Sequence, residues 1–151
     1  SAVGEVNVVE KMKATNAVIG GEGNGGVIYP ELHYGRDALV GIALFLTFMA
    51  KTGKKCSEIR SQYPAYTISK NKIELQPNMN VPEIMQKMAA KYADYEVNTI
   101  DGVKIDFPDG WVHLRPSNTE PIIRIYAEAQ SEEHAAALAN RIITDIKAVI
   151  R

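Results

Sequence analysis

The stretch from Ala38 to Ala50, apolar except at Gly41 and Thr47, sets the first limit on the fold. Its 13 residues fall short of the ~20 that span a bilayer, so it reads as a buried helix and not a membrane anchor. Asp37 can open this helix, and Gly53 stands just past its end near residue 51. Leu39, Val40, Ile42, Leu44, Phe45, Leu46, Phe48 and Met49 cover every face of it, which calls for partners on more than one side. The chain before it offers few. Val6, Val9 and Met12 have helical spacing, Ala17-Val18-Ile19 reads as a short buried strand, and Val27-Ile28-Tyr29 reads as another. Residues 1–62 therefore look like the closing part of a larger α/β domain. Missing partners predict self-association through helix 38–51 or a poorly packed surface.

The remaining composition is that of a globular protein: 46% hydrophobic and 23% charged residues over 151 positions. Seventeen Lys and Arg against 18 Asp and Glu leave a net charge of -1, which gives no global pull toward nucleic acid or an anionic membrane. Any anion has to be held locally. A single cysteine, Cys56, makes neither an internal disulfide nor a cysteine metal cluster, and with no secretory signal in view a cytoplasmic location is the expectation.

The rhythm changes near Gln62-Tyr63-Pro64-Ala65, and residues 65–151 read as a self-contained domain. Alternation at Tyr66, Ile68, Ile73 and Leu75 marks extended chain. Val81-Pro82 starts a helix with the apolar stripe Ile84, Met85, Met88, Ala89 and Tyr92. Asp101-Gly102 is a hairpin signal between Val97–Ile100 and Val103–Phe107, and Pro108-Asp109-Gly110 turns the chain into Trp111–Leu114. A last strand, Ile122–Ala127, precedes a helix opened by Ser131, whose stripe is Ala135, Leu138, Ala139, Ile142, Ile146 and Val149. An antiparallel sheet with two helices on one face packs these pieces economically, an α+β arrangement.

Two loops carry polar groups in informative patterns. Arg115-Pro116-Ser117-Asn118-Thr119-Glu120-Pro121 gathers a guanidinium, two hydroxyls and an amide within five residues, bounded by two prolines. Such a loop suits a phosphate: arginine offers a planar fork of donors, and a tight turn can aim backbone N–H groups at the same anion. The bland reading is a polar connection with an Arg–Glu surface pair, which contributes only ~0–1 kcal/mol. His113 and Arg124 on the flanking strands can add charge. Gly20–Gly26 holds five glycines among seven residues, with Glu22 and Asn24 between them. It lacks the lysine pattern and the following helix of a nucleotide loop, and a carboxylate repels phosphate, so a sugar fits it better. A glycine-rich hairpin with incidental polar residues is the plainer alternative. Tyr34 and Arg36 either face a ligand or end a strand, and His33, His113 and His134 lack metal-ligand spacing.

Taken together and in this order, Gly21-Glu22-Gly23-Asn24-Gly25-Gly26 and Arg115-Pro116-Ser117-Asn118-Thr119-Glu120-Pro121 resemble the α-D-phosphohexomutase superfamily, which includes phosphoglucomutase, phosphomannomutase and phosphoglucosamine mutase. The resemblance runs over essentially the whole chain. It implies that residues 1–62 correspond to the end of the sugar-binding third domain. Residues 65–151 would correspond to the fourth, with its TATA-box-binding-protein-like fold. Glu22 matches the family's sugar-hydroxyl glutamate, while Asn24 and Gly26 stand where Ser and His are common. Arg115, Ser117 and Thr119 match phosphate contacts, Asn118 stands where glycine is frequent and offers its backbone N–H, and Arg124 adds a charge behind them.

The implied reaction interconverts hexose 1-phosphate and hexose 6-phosphate through a phosphoserine and a 1,6-bisphosphate intermediate, with Mg2+ on an Asp-rich loop. The serine and magnesium loops belong to the family's first two domains, whose motifs this chain does not show. A phosphorylated hexose is the expected ligand, the N-terminal domains are the expected partners, and this chain alone is expected to be inactive. Two alternatives stay open: an autonomous phosphosugar-binding module, and an interaction domain that uses the apolar helix.

Overall fold

A computed structural model describes residues 1–77, 79–117 and 119–150. Asn78, Asn118 and Arg151 lie outside the described residues. The chain divides into two compact units, Ser1–Pro64 and Ala65–Arg151.

In the first unit helix α1 (Glu5–Thr15) ends at Asn16, whose left-handed backbone turns the chain back so that Ala17 N–H reaches the carbonyl of Met12 at 2.9 Å. The buried strand expected at Ala17–Ile19 does not form. Pairing begins one residue later, at β1 (Gly20–Gly21), and Val18 and Ile19 stay exposed because no element of the unit covers them. β1 pairs with β2 (Val27–Tyr29), and β2 with β3 (His33–Arg36), as an antiparallel meander.

The apolar run forms α2 (Ala38–Thr52). Asp37 Oδ1 accepts from Val40 N–H at 3.0 Å and caps its start, a bond that holds the Asp37 carboxyl below its usual range. Gly53 closes the other end. The helix is not buried, contrary to the reading of the sequence: none of its residues is, and Leu39 is 78% exposed. The reason is the scarcity of partners. Among the described residues β2 approaches the helix at Gly41, where an added Cβ would stand 3.1 Å from Val27 Cγ2. A five-residue helix, α3 (Cys56–Arg60), follows, and it buries Ile59.

The second unit is the α+β arrangement expected from its periodicity. Strands β4 (Thr67–Glu74), β5 (Glu96–Asn98), β6 (Val103–Phe107), β7 (Gly110–Pro116) and β8 (Ile122–Ala129) form one antiparallel sheet ordered β4-β8-β7-β6-β5. Helices α4 (Val81–Lys91) and α5 (Glu132–Ile150) pack with its inward residues in one core. Ile84 and Met88 of α4 and Ala135, Leu138, Ala139, Ile142 and Ile146 of α5 are buried, in line with the apolar stripes of the sequence. Opposite them lie Val103, Ile105, Val112, Leu114, Ile123, Ile125 and Ala127. Behind α4, the Tyr92 hydroxyl donates to Asp145 at 2.6 Å.

The other face of the sheet is polar, and strand alternation with the pairing register arranges it in rows. Lys72, Arg124 and Arg115 are cross-strand neighbours on β4, β8 and β7. Lys70, Tyr126, His113 and Lys104 form the next row, and Ile68, Glu128, Trp111 and Asp106 the one after.

Candidate functional site

The loop joining β7 to β8 is built as a tight polar turn. Ser117 N–H donates to the Ile122 carbonyl at 2.9 Å, and Ile122 N–H to the Glu120 carbonyl at 2.8 Å, which closes the loop on itself. Inside it, Ser117 Oγ accepts from Thr119 N–H at 3.4 Å and from Glu120 N–H at 3.3 Å, and it lies 3.4 Å from Thr119 Oγ1. These bonds are long, so an incoming anion can take the same donors at little cost. Asn118, singled out in the sequence for its backbone N–H, lies outside the described residues.

Arg115, Pro116, Ser117, Thr119 and Arg124 line one hollow of about 170 Å³. Both guanidinium groups are held from behind. Arg115 Nε donates to Asp101 Oδ1 at 3.2 Å, and an Arg124 terminal nitrogen donates to Glu120 Oε2 at 3.1 Å. Half-exposed ion pairs of this kind contribute only ~0–1 kcal/mol, so their consequence is orientation more than stability. Each pair engages one N–H edge and leaves other guanidinium donors for a ligand. The plainer reading of the loop places an Arg–Glu pair within it; instead Glu120 pairs with Arg124 from the neighbouring strand, and Arg115 with Asp101.

Asp101 has no counterpart in the sequence reading, where it served only as a hairpin signal. Its carbonyl also receives the His113 ring nitrogen, so one turn residue fixes two of the three side chains that β7 sends to this face. Gly102 makes the arrangement available. Its φ is +74°, and a Cβ there would lie 2.1 Å from the Leu114 carbonyl oxygen, so the turn lies flat against β7. The signal was present as Asp-Gly, but its partner is 14 residues away and only the register connects them.

The glycine loop of the first unit is likewise tied to itself. Glu22 N–H donates to the Gly26 carbonyl at 3.2 Å, Gly25 N–H to the Glu22 carbonyl at 3.0 Å, and Gly26 N–H to Asn24 Oδ1 at 2.9 Å. Glu22 Oε1 accepts from Gly4 N–H at 3.2 Å, and Glu22 Oε2 lies 3.5 Å from Asn24 Nδ2. The carboxylate is therefore engaged with the start of α1. A hollow of about 490 Å³ beside the loop is lined by Asn24, Gly26, Arg36, Asp37 and Glu5 among others, and Glu22 is not on its wall.

Arg36, one of two residues that the sequence left between a ligand role and a strand end, does line this hollow. Its Cδ would stand 2.8 Å from a Cβ at Gly26, so the arginine occupies the room that a side chain at position 26 would need. Glu5 holds it in two places, accepting from its backbone N–H at 3.1 Å and from Nε at 2.8 Å, and the backbone bond is foremost in keeping the Glu5 carboxyl below its usual range. Tyr34 lies instead under the Lys13 ammonium, 4.8 Å from its ring centre.

His33 pairs with Asp37 and His134 with Asp109. Among the described residues no three His, Cys, Asp or Glu side chains come together in a group that could hold a metal ion, and no helix is long and apolar enough to cross a membrane.

Comparison with known proteins gives consistent results for both units. Residues 1–66 match the phosphoglucomutase/phosphomannomutase alpha/beta/alpha domain III, and residues 76–144 match the phosphoglucomutase/phosphomannomutase C-terminal domain. A phosphoglucomutase/phosphomannomutase of Thermococcus kodakarensis is 44% identical over 135 residues, covering 88% of this chain and 29% of that protein. A phosphoglucosamine/phosphogalactosamine mutase of Sulfurisphaera tokodaii is 39% identical over 150 residues, covering 98% of this chain and 32% of that protein. The crystal structure of a phosphoglucomutase/phosphomannomutase family protein from Burkholderia thailandensis superposes with a TM-score of 0.74 at 26% identity, covering 99% of this chain and 32% of that one. The chain thus spans about a third of the length of these relatives.

Proposed function

The chain belongs to the phosphoglucomutase/phosphomannomutase family, and we propose that it supplies the sugar- and distal-phosphate-binding part of an enzyme that interconverts hexose 1-phosphate and hexose 6-phosphate. The observation that carries this reading is the hollow in which Arg115, Ser117, Thr119 and Arg124 converge, with Asp101 and Glu120 fixing the two guanidinium groups from behind. A phosphate dianion there meets two cations, two hydroxyl groups and the N–H groups of a tight turn.

In the proposed reaction a phosphoserine gives its phosphoryl group to one end of the sugar, and the resulting 1,6-bisphosphate returns the other phosphoryl group to the serine. This chain's share is to grip the phosphate that is not reacting. Binding energy realised there, away from the transferred group, orients the reacting end. In the first unit Asn24 and Arg36 meet the sugar hydroxyls across the larger hollow, while Glu22 keeps the loop folded and reaches the sugar when its bond to Gly4 is exchanged. The names of the relatives include glucosamine and galactosamine as well as glucose and mannose phosphates, so the ligand class proposed here is a hexose phosphate.

Mg2+ belongs to the proposed enzyme as a Lewis acid on the transferred phosphoryl group, but the described residues of this chain offer no donor set that fits it. The other proposed partner is the N-terminal part of the same mutase. Alone, the chain binds hexose phosphate, does not turn it over, and self-associates through α2.

Calorimetry with glucose 6-phosphate and with glucose tests the reading. Binding is expected for the phosphate only, and Arg115→Ala abolishes it. Conversion of glucose 1-phosphate by this chain alone, or equal binding of unphosphorylated glucose, would overturn it.

A further inference from the structure

The basic row beside the loop carries more positive charge than a single phosphate needs. Lys72, Arg124 and Arg115 lie directly opposite one another on three successive strands, an arrangement of like charges that is unfavourable without an anion between them. Arg115 and Arg124 each have a carboxylate partner, whereas Lys72 forms no ion pair among the described residues. One row further, the Lys70 ammonium sits over the Tyr126 ring, 5.7 Å from its centre. Lys70, Lys72, Arg124 and Tyr126 line a second hollow of about 450 Å³, in which Glu120 is the one carboxylate. Arg124 lines both hollows, so the two adjoin one another at its side chain.

Lysines on an edge strand often serve only to keep other strands away, and that explains Lys70 and Lys72 by themselves. It does not explain Arg124, which is on an interior strand facing Arg115. Of the carboxylates on this face, Glu128 and Asp106 lie in the row farthest from the loop, whereas Glu74, opposite Ile122, lies at the loop end next to Lys72. The cations concentrate at the end of the sheet where the loop is.

We infer that this row, Lys72–Arg124–Arg115 with Lys70 behind it, is a binding site for a linear condensed phosphate, a di- or triphosphate group that enters the loop hollow at one end and runs across β8 to β4. Neighbouring strands are ~4.8 Å apart, so the three positively charged residues span roughly 10 Å, a length that a chain of condensed phosphoryl groups can follow and a single phosphate cannot. Because Arg115 and Arg124 are shared, such a ligand competes with a hexose phosphate. The inference rests on the phosphate reading of the loop, and extends it.

Calorimetry on the full chain with orthophosphate, triphosphate and ATP, each without divalent metal, tests the inference. Triphosphate is expected to bind at least roughly tenfold more tightly than orthophosphate and to displace glucose 6-phosphate. Lys72→Gln removes most of that advantage. Lys147→Gln, which deletes the same charge on the helix side of the sheet, does not. Equal affinity of ATP and triphosphate identifies the phosphate chain itself as the recognised group, and tighter ATP binding identifies a nucleotide source. The site is refuted if triphosphate has no advantage over orthophosphate, or if Lys72→Gln and Lys147→Gln reduce that advantage alike. Should Arg115→Ala leave orthophosphate binding intact, the loop reading falls and this inference with it, whereas an absent triphosphate preference while Arg115→Ala still abolishes orthophosphate binding refutes the row alone.

Discussion

Gly102 connects the backbone to the candidate site through two neighbours. Its positive φ and the approach of the Leu114 carbonyl leave no room for a side chain, and the turn it permits puts Asp101 against Arg115. Gly102→Val is expected to lower the stability of the second unit by at least ~2 kcal/mol, from left-handed strain plus the clash, read as a fall in the thermal midpoint. The clusters Arg115-Ser117-Thr119 and Glu22-Asn24 were legible in the sequence because each lies within five residues. Asp101 and Glu5 were not, since each reaches its arginine across strands or from another helix. Arg124 was named from the sequence, but its direction followed only from the register that sets it opposite Arg115.

At the level of elements, periodicity read correctly wherever an element had a layer to pack on. The stripes of α4 and α5 match their buried and half-buried positions, because the sheet and the helices cover each other. The misreadings fall where that cover is missing. Ala17–Ile19 is as apolar as a strand but has none to pair with, and α2 is apolar all round yet exposed at Leu39, Ile42, Phe45 and Phe48. Sedimentation of the isolated chain should show self-association. Replacing Leu39 and Phe45 together by Glu should shift it to monomer without loss of helical signal.

Titration of the α4–α5 contact can also be followed. Burial, reinforced by the Asp145 carboxylate, pushes the Tyr92 hydroxyl up to about 12. A raised acid favours the folded state while it is protonated, so its contribution is complete below the ordinary tyrosine value near pH 10 and is lost as the pH rises toward 12. Stability of the second unit should fall across that window, and Tyr92→Phe should flatten the fall.

The whole molecule divides unevenly. Met12, Ile28 and Ile59 are the buried hydrophobic residues of the first unit among those described, whereas the second unit closes a single core from α4, α5 and the sheet. This asymmetry suits a chain spanning about a third of the length of its relatives. The proposed phosphate site lies within the second unit, whose loop is closed by its own backbone hydrogen bonds. Residue-resolved amide NMR of the chain during titration with glucose 6-phosphate tests it most directly. The expected result is a saturable shift at Ser117, Thr119 and Glu120 and at the Arg115 and Arg124 side chains, absent in the folded Arg115→Ala protein. Shifts that bypass this loop, or that survive Arg115→Ala unchanged, would contradict the assignment.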